Sequence, residues 1–249
     1  MKKRTALMFS AGLFLIVLAV LFSLLINGSL RSEGDIVLPQ SSTQIEDAVD
    51  IAKRNHRHIS EVTVTADNVQ AVIATLSRPQ AYGYTAEKTY YYPSGSAVSM
   101  SLVRVSSDRG RVDVFDTSGR IYKQLVYTPG RVYMWGKDDV TYYTAERNGF
   151  SIEDEAGVPT YESILALDTA DIIDAGVREH NGRLCVYLTS SYELGRYTRD
   201  WYVDIDSGLM YSCDTREGGE IIFSVICRDM TIGEQDSGLF VLPNGQTAH

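Results

Sequence analysis

The stretch WYVDIDSGLMYSCDTREGGEIIFSVIC, Trp201 to Cys227, reads as three strands joined by two tight turns. Apolar and polar residues alternate with the two-residue period of a half-buried strand, and the breaks fall at Asp206-Ser207-Gly208 and Glu217-Gly218-Gly219. Treating each break as a three-residue turn pairs Ile205 with Leu209, Val203 with Tyr211 and Trp201 with Cys213. The second turn then sets Cys213 opposite Phe223, Tyr211 opposite Val225 and Leu209 opposite Cys227. One face of this meander is wholly apolar. The other carries Asp204, Asp206, Ser212, Asp214, Ser224 and Arg228 and is expected to meet water. A slip of one residue would mix the two sets, so the pattern supports its own register.

Working outward, the same alternation recurs almost without pause from Tyr82. Segments such as AVSMSLVRV, RVDVFD, RIYKQLVY, RVYMW, VTYYTA and LCVYLT are separated by PSGS, SDRG, TSG, TPG, GKDD and HNG. Turns this short force neighbours to run antiparallel. One interruption, TYESILALDTADIIDAG from Thr160 to Gly176, is read as one or two short helices. Ahead of the sheet, TQIEDAVDIAKRN has Thr43 and Glu46 in capping-box spacing and Ile45, Ala48, Val49 and Ala52 at helical intervals. DNVQAVIATL follows, with Asp67 as its N-cap, a stripe of Val69, Val72, Ile73 and Leu76, and a stop before Pro79. Near the end, GLFVLPNG (Gly238 to Gly245) sets four apolar residues in a row before a Pro-x-Gly turn, which suits a short strand shielded on both faces. No repeat or second composition regime appears, and one α+β domain over 43–246 is expected.

The N-terminus has a different character. ALMFSAGLFLIVLAVLFSLLI, Ala6 to Ile26, is 21 residues without a charge, about 31 Å as a helix against a hydrocarbon core of about 30 Å. Residues 1–27 are therefore read as a transmembrane signal-anchor and 28–42 as a linker. A cleaved signal peptide is the alternative, although its apolar region normally runs about 7 to 15 residues and ends at small residues. Lys2, Lys3 and Arg4 place the N-terminus in the cytoplasm and the rest outside the cell membrane. The formal net charge is -9, and with these three and Arg31 set aside, 19 of the 23 basic side chains face 32 acidic ones. That balance argues against nucleic acid as a partner.

Chemistry-bearing motifs are scarce. Cys213 and Cys227 share a face but stand about 13 Å out of step, beyond disulfide reach, and Cys185 alternates the other way, so three free thiols are expected. No zinc spacing occurs. His56 and His58 lie beside Arg54 and Arg57 near a helix end, His180 precedes an Asn-Gly turn, and His249 is terminal. DIDSG, from Asp204, begins like a calcium loop but has Thr215 where the closing Glu is required, and reads as a turn. The pair Asp113 and Asp116, and the run Glu153-Asp154-Glu155, read as solvated surface. With no nucleophile elbow, phosphate loop or dinucleotide fingerprint, no enzyme activity, cofactor or metal is expected.

A helix with NVQAVIATLSRP, the strand-hairpin PGRVYMWGKDDVTYYTAE, the pair WYVDIDSGLMYSCDTREGG and the closing FVLPNG together resemble the LolA/LolB-like, outer-membrane lipoprotein carrier-like superfamily, over roughly Ile45 to Gly245. The resemblance implies a strongly curved antiparallel half-barrel covered by helices, with acyl chains or another apolar ligand between them. It also implies a buried arginine latching the helical lid, a role to which the sequence assigns no particular arginine. The chain would be a membrane-tethered member of the cell envelope that binds a lipid or lipoprotein acyl chain, with Trp201, Val203, Tyr211, Phe223 and Val225 as the hydrophobic ligand-binding face. The same residues serve equally as plain core. The alternative function is an extracytoplasmic protein-interaction or sensor module with a filled core, engaging an envelope partner through its surface; the sixteen tyrosines, Tyr90 to Tyr92 and Tyr142 and Tyr143 among them, favour sticky strands.

Overall fold

The computed structural model describes residues 47–147 and 151–248. The proposed anchor, the linker and the Thr43–Glu46 capping box lie outside the described residues. Among those described, no helix is long and apolar enough to cross a membrane.

Eleven strands form a single antiparallel sheet: β1 (Ala81–Tyr92), β2 (Gly95–Ser106), β3 (Arg109–Phe115), β4 (Ile121–Tyr127), β5 (Arg131–Gly136), β6 (Tyr143–Glu146), β7 (Ile172–His180), β8 (Arg183–Tyr192), β9 (Tyr197–Asp204), β10 (Met210–Glu217) and β11 (Glu220–Ile232). The order across the sheet is β6-β5-β4-β3-β2-β1-β11-β10-β9-β8-β7. The chain thus starts in the middle, meanders to one edge, crosses to the opposite edge, and meanders back until β11 pairs with β1. Each alternating segment read from the sequence is one of these strands. Strand β7 was not anticipated: the second half of Thr160–Gly176 is a 3-10 turn (Thr169–Asp171) followed by an edge strand.

The register of the last three strands is met in part. Trp201 pairs with Cys213, but Val203 pairs with Met210 instead of Tyr211. A bulge sets Tyr211 and Ser212 together opposite Tyr202, which moves Met210 into the position foreseen for its neighbour and sends Tyr211 to the other face. Between β10 and β11 the turn has two residues, Gly218 and Gly219, at φ +59° and +92°. Both positive angles are those a type I′ turn demands. With a further bulge after Thr215, Cys213 meets Val225 where Phe223 was expected. That slip is even, so the faces are kept even though the partners change.

Among the described residues, four helices lie outside the sheet: α1 (Ala48–Ser60), α2 (Val69–Thr75), α3 (Ile152–Ala156) and α4 (Tyr161–Leu165). Helix α1 is capped by Asp47, whose side chain accepts from the Val49 amide at 3.2 Å. It does not bury its expected apolar stripe, since Val49 is exposed and the buried positions are Ile51 and Asn55. Asn55 is held from both sides, donating to the carbonyls of Ser77 (3.0 Å) and Ile205 (2.9 Å) and accepting from the Ser77 amide (2.8 Å). Helix α2 buries the stripe its periodicity predicts, with Val69, Val72 and Ile73 in the core and Leu76 just after them, but its N-cap is Asn68 and not Asp67. Together with Ile152, Ala156 and Ile164 of α3 and α4, these side chains cover one face of the sheet, where they meet Val103, Val112, Leu125, Leu188, Val203 and Val225.

The opposite face is covered in two different ways. Over β4 and β5 the C-terminal segment packs Phe240, Leu242 and Ala248 onto Val126, Tyr133 and Trp135. It does so as a 3-10 turn (Ser237–Phe240) with one isolated bridge, Val241 to Thr247, and not as the continuous strand read from GLFVLPNG. Over β8 to β10 the covering is the sheet's own long side chains. The His180 ring stacks on Tyr202 at 3.7 Å, and the Arg178 guanidinium lies 3.4 Å over Tyr187. Asp204, Ser212 and Asp214, foreseen on a face open to water, are buried beneath this layer.

Candidate functional site

The residues that bring a site together lie where the chain crosses between the sheet's two halves. Ser151 opens α3 with a reciprocal capping box, accepting from the Asp154 amide at 3.0 Å while the Asp154 carboxylate accepts from the Ser151 amide at 2.9 Å. Gly157 closes it in the left-handed conformation, φ +68°. Three polar hooks then fix this one-turn helix to the sheet. The Tyr82 hydroxyl of β1 donates to Glu153 Oε1 at 2.6 Å, Lys88 Nζ donates to the Ala156 carbonyl at 2.6 Å, and Lys123 of β4 pairs with Glu155. Burial pulls the Lys88 ammonium below its ordinary value, with Glu155 acting the other way. Ile152 adds one apolar contact by filling the space over Gly110, where even a Cβ would come within 1.5 Å of its Cδ1.

Helix α4 is tied to α2 rather than to the sheet. Gln70 Nε2 donates to the carbonyls of Ile164 (3.0 Å) and Leu167 (2.9 Å). Arg78 donates through its two terminal nitrogens to two carbonyls at the end of α2, Leu76 (2.8 Å) and Ile73 (2.6 Å), the second of which also accepts from the Leu76 amide. Its guanidinium lies 3.5 Å over the Tyr161 ring of α4. Burial lowers the Arg78 pKa, and Tyr161 and Glu162 oppose that shift. Arg78 thus bridges two covering helices.

Between these helices and the sheet lies a cavity of about 560 Å³. Tyr82, Tyr84, Leu209 and Met210 contribute from the sheet side, Arg78 and Pro79 from the end of α2, and Glu153, Val158, Tyr161 and Glu162 from α3 and α4. Tyr82 and Tyr84 are parallel, their ring centroids 6.1 Å apart. Burial, followed by the Glu153 carboxylate, holds the Tyr82 hydroxyl well above its ordinary range; burial, followed by Cys227, does the same for Tyr84. Two polar atoms here are buried without a hydrogen-bond partner, the Tyr84 hydroxyl and Arg78 Nε.

None of the five residues named from the sequence as a ligand-binding face lines this cavity. Trp201, Val203 and Val225 are buried in the core, the indole of Trp201 donating to Ser190 Oγ at 2.9 Å, and Phe223 packs beside them against Tyr90. Tyr211 stands apart from the other four, in the outer-face cluster with Cys185 and Tyr202. The cavity residues did leave a signal in the sequence: Ser151-x-x-Asp154 followed by Gly157 is a helix start and stop around five residues. Glu153 and Glu155 are not the solvated surface they were read as, and Asp113, also read so, is buried against Arg111 and Gln124.

The three thiols are free and buried. Burial pushes Cys185 up to about 12 and Cys213 and Cys227 further. Among the described residues, no group of three or more His, Cys, Asp or Glu side chains could hold a metal ion.

No protein-family model matches the chain, and no curated protein matches it. Solved structures do. An uncharacterized conserved protein from Thermus thermophilus is 8% identical over 75% of this chain and 90% of its own, with a TM-score of 0.41. A LolA superfamily protein from Nitrosomonas europaea is 10% identical over 72% of this chain and 98% of its own, TM-score 0.34. MucB, solved in complex with MucA, is 16% identical over 80% of this chain and 62% of its own, TM-score 0.41. One of these three carries the name of the superfamily that the sequence resembles; likenesses at these identities and TM-scores assign no role to any residue of this chain.

Proposed function

We propose that the protein is a membrane-tethered, extracytoplasmic binder of an apolar or amphiphilic ligand, such as a lipid or a lipoprotein acyl chain, rather than an enzyme. In this reading the sheet curves as a half-barrel around the cavity, α3 and α4 form the cover, and Arg78 is the latch between α2 and α4. The uncharged run Ala6 to Ile26 supplies the tether. The single observation that carries the reading is the cavity of about 560 Å³ between sheet and helices, a size that falls in the range of about 300–1,000 Å³ for small-molecule sites. Leu209, Met210 and Val158 give it apolar wall, against which each buried methylene would gain about 0.8 kcal/mol.

Native mass spectrometry of the chain from Thr43 onward, purified without detergent, tests this. Co-purifying species of lipid mass are the expected result. A protein that carries nothing, and takes up no fatty acid or monoacylglycerol when offered it, would sink the proposal. A second reading, a protein-interaction module, has one observation in its favour: the β1–β2 hairpin presents Tyr90, Tyr91, Tyr92 and Val98 to solvent. A dry cavity together with a stoichiometric protein partner in the same spectra would favour it.

A further inference from the structure

Two residues that line the cavity each bury a donor with nothing to donate to. Tyr84 is only 3% exposed, yet its hydroxyl has no partner, and Arg78 Nε, whose neighbouring nitrogens are both engaged, has none either. Buried polar groups are normally paired, and an orphan in a native protein calls for an explanation. An Arg Nε–H can only donate, so the missing partner on that side is an acceptor. The charges around it narrow the class. Glu153, Asp154 and Glu162 line the same space against Arg78 and Arg147. A phosphate or free carboxylate would enter among three acidic side chains, whereas a neutral oxygen would not be repelled.

We propose that the cavity selects acyl chains that end in a neutral ester or amide carbonyl, with the Tyr84 hydroxyl and Arg78 Nε as the donors to the carbonyl oxygen and the chain lying along Leu209, Met210 and Val158. This deepens the binder reading and rests on it. Both buried donors would gain an acceptor as the ligand settles and the side chains around them give way. Tyr84 is then the specificity-determining residue, because it discriminates an acyl ester from a hydrocarbon of equal length.

The test compares 1-monopalmitoylglycerol with 1-O-hexadecylglycerol, the ether that lacks the carbonyl, using the full chain held in amphipol and affinities measured by titration against an amphipol blank. The ester should bind about tenfold more tightly than the ether, the size of a buried hydrogen bond. Tyr84→Phe should remove most of that preference by weakening the ester alone. It should melt no lower than the parent when empty, since it deletes only an unpartnered hydroxyl. Equal affinities for ester and ether in the parent, or an equal loss of both in Tyr84→Phe, would overturn the proposal while leaving a binding cavity intact. Tighter binding of the corresponding lysophosphatidic acid would overturn the neutral-carbonyl assignment. Binding of neither probe would overturn the binder reading itself.

Discussion

Helices α2 and α3 cover the same face of one sheet with different glue. Helix α2 gives the core Val69, Val72 and Ile73, all buried. Helix α3, five residues long, gives only Ile152 and Ala156 and relies on Tyr82, Lys88 and Lys123 reaching up to its carboxylates and its last carbonyl. Apolar burial has no charge for salt to screen or protons to titrate, whereas charge-assisted contacts have both. The part of the cover able to open is therefore α3, which sits over the cavity on bonds that water can replace, whereas α2 is held by apolar packing.

The largest effect is expected at Ile73. Ile73→Ala should cost about 2–5 kcal/mol of global stability by urea unfolding, whereas Ile152→Ala should chiefly expose residues 151–157 to hydrogen exchange. Equal global losses would mean that the two helices are one cooperative unit. A smaller effect is expected at Tyr82. Tyr82→Phe removes a hydrogen bond to a carboxylate, worth about 1.5 kcal/mol, and should speed exchange of the α3 amides roughly tenfold with little change around α2. The same hydroxyl predicts a pH response. Its folded pKa lies well above the ordinary value of 10.0, so its contribution is complete below pH 10 and is lost as pH rises beyond it, when phenolate would face Glu153. Loosening of α3 ahead of α2 in alkaline exchange experiments would show this, and Tyr82→Phe should lack that component. The smallest effect belongs to the partly exposed Lys123–Glu155 pair, where 1 M NaCl or Lys123→Gln should weaken α3 docking by under about 1 kcal/mol.

The same contrast explains what the sequence did and did not disclose. Helix α2 was legible because four apolar residues at helical spacing have no other use, and the sheet was legible because ten segments alternate between Gly- and Asp-containing turns. Strand β7, IIDAGVREH, escaped because an edge strand with one exposed flank keeps no clean alternation: Ile173 and Val177 are both largely in solvent. Helix α3 escaped because three acids in five residues look like surface until the tyrosine and lysines that meet them are placed, about 30 to 70 positions earlier in the chain. The ligand face was placed among Trp201, Val203, Tyr211, Phe223 and Val225 because alternation says which residues face inward. It cannot say where the packing stops short, and a single bulge at Tyr211 was enough to turn that residue away. Orphaned donors such as the Tyr84 hydroxyl are invisible to any pattern.

The seam where β1 meets β11 joins segments far apart in sequence, as in the contact of Thr231 Oγ1 with the Gly83 carbonyl across 148 positions. Both meanders can zip locally, but the second edge of β1 has no partner until the final strand has been made. A nascent chain must therefore wait with one edge of its middle strand bare, and closing so long a loop is slow. Such a protein is most vulnerable to aggregation, and most dependent on assistance, in the interval between emergence of β1 and delivery of β11.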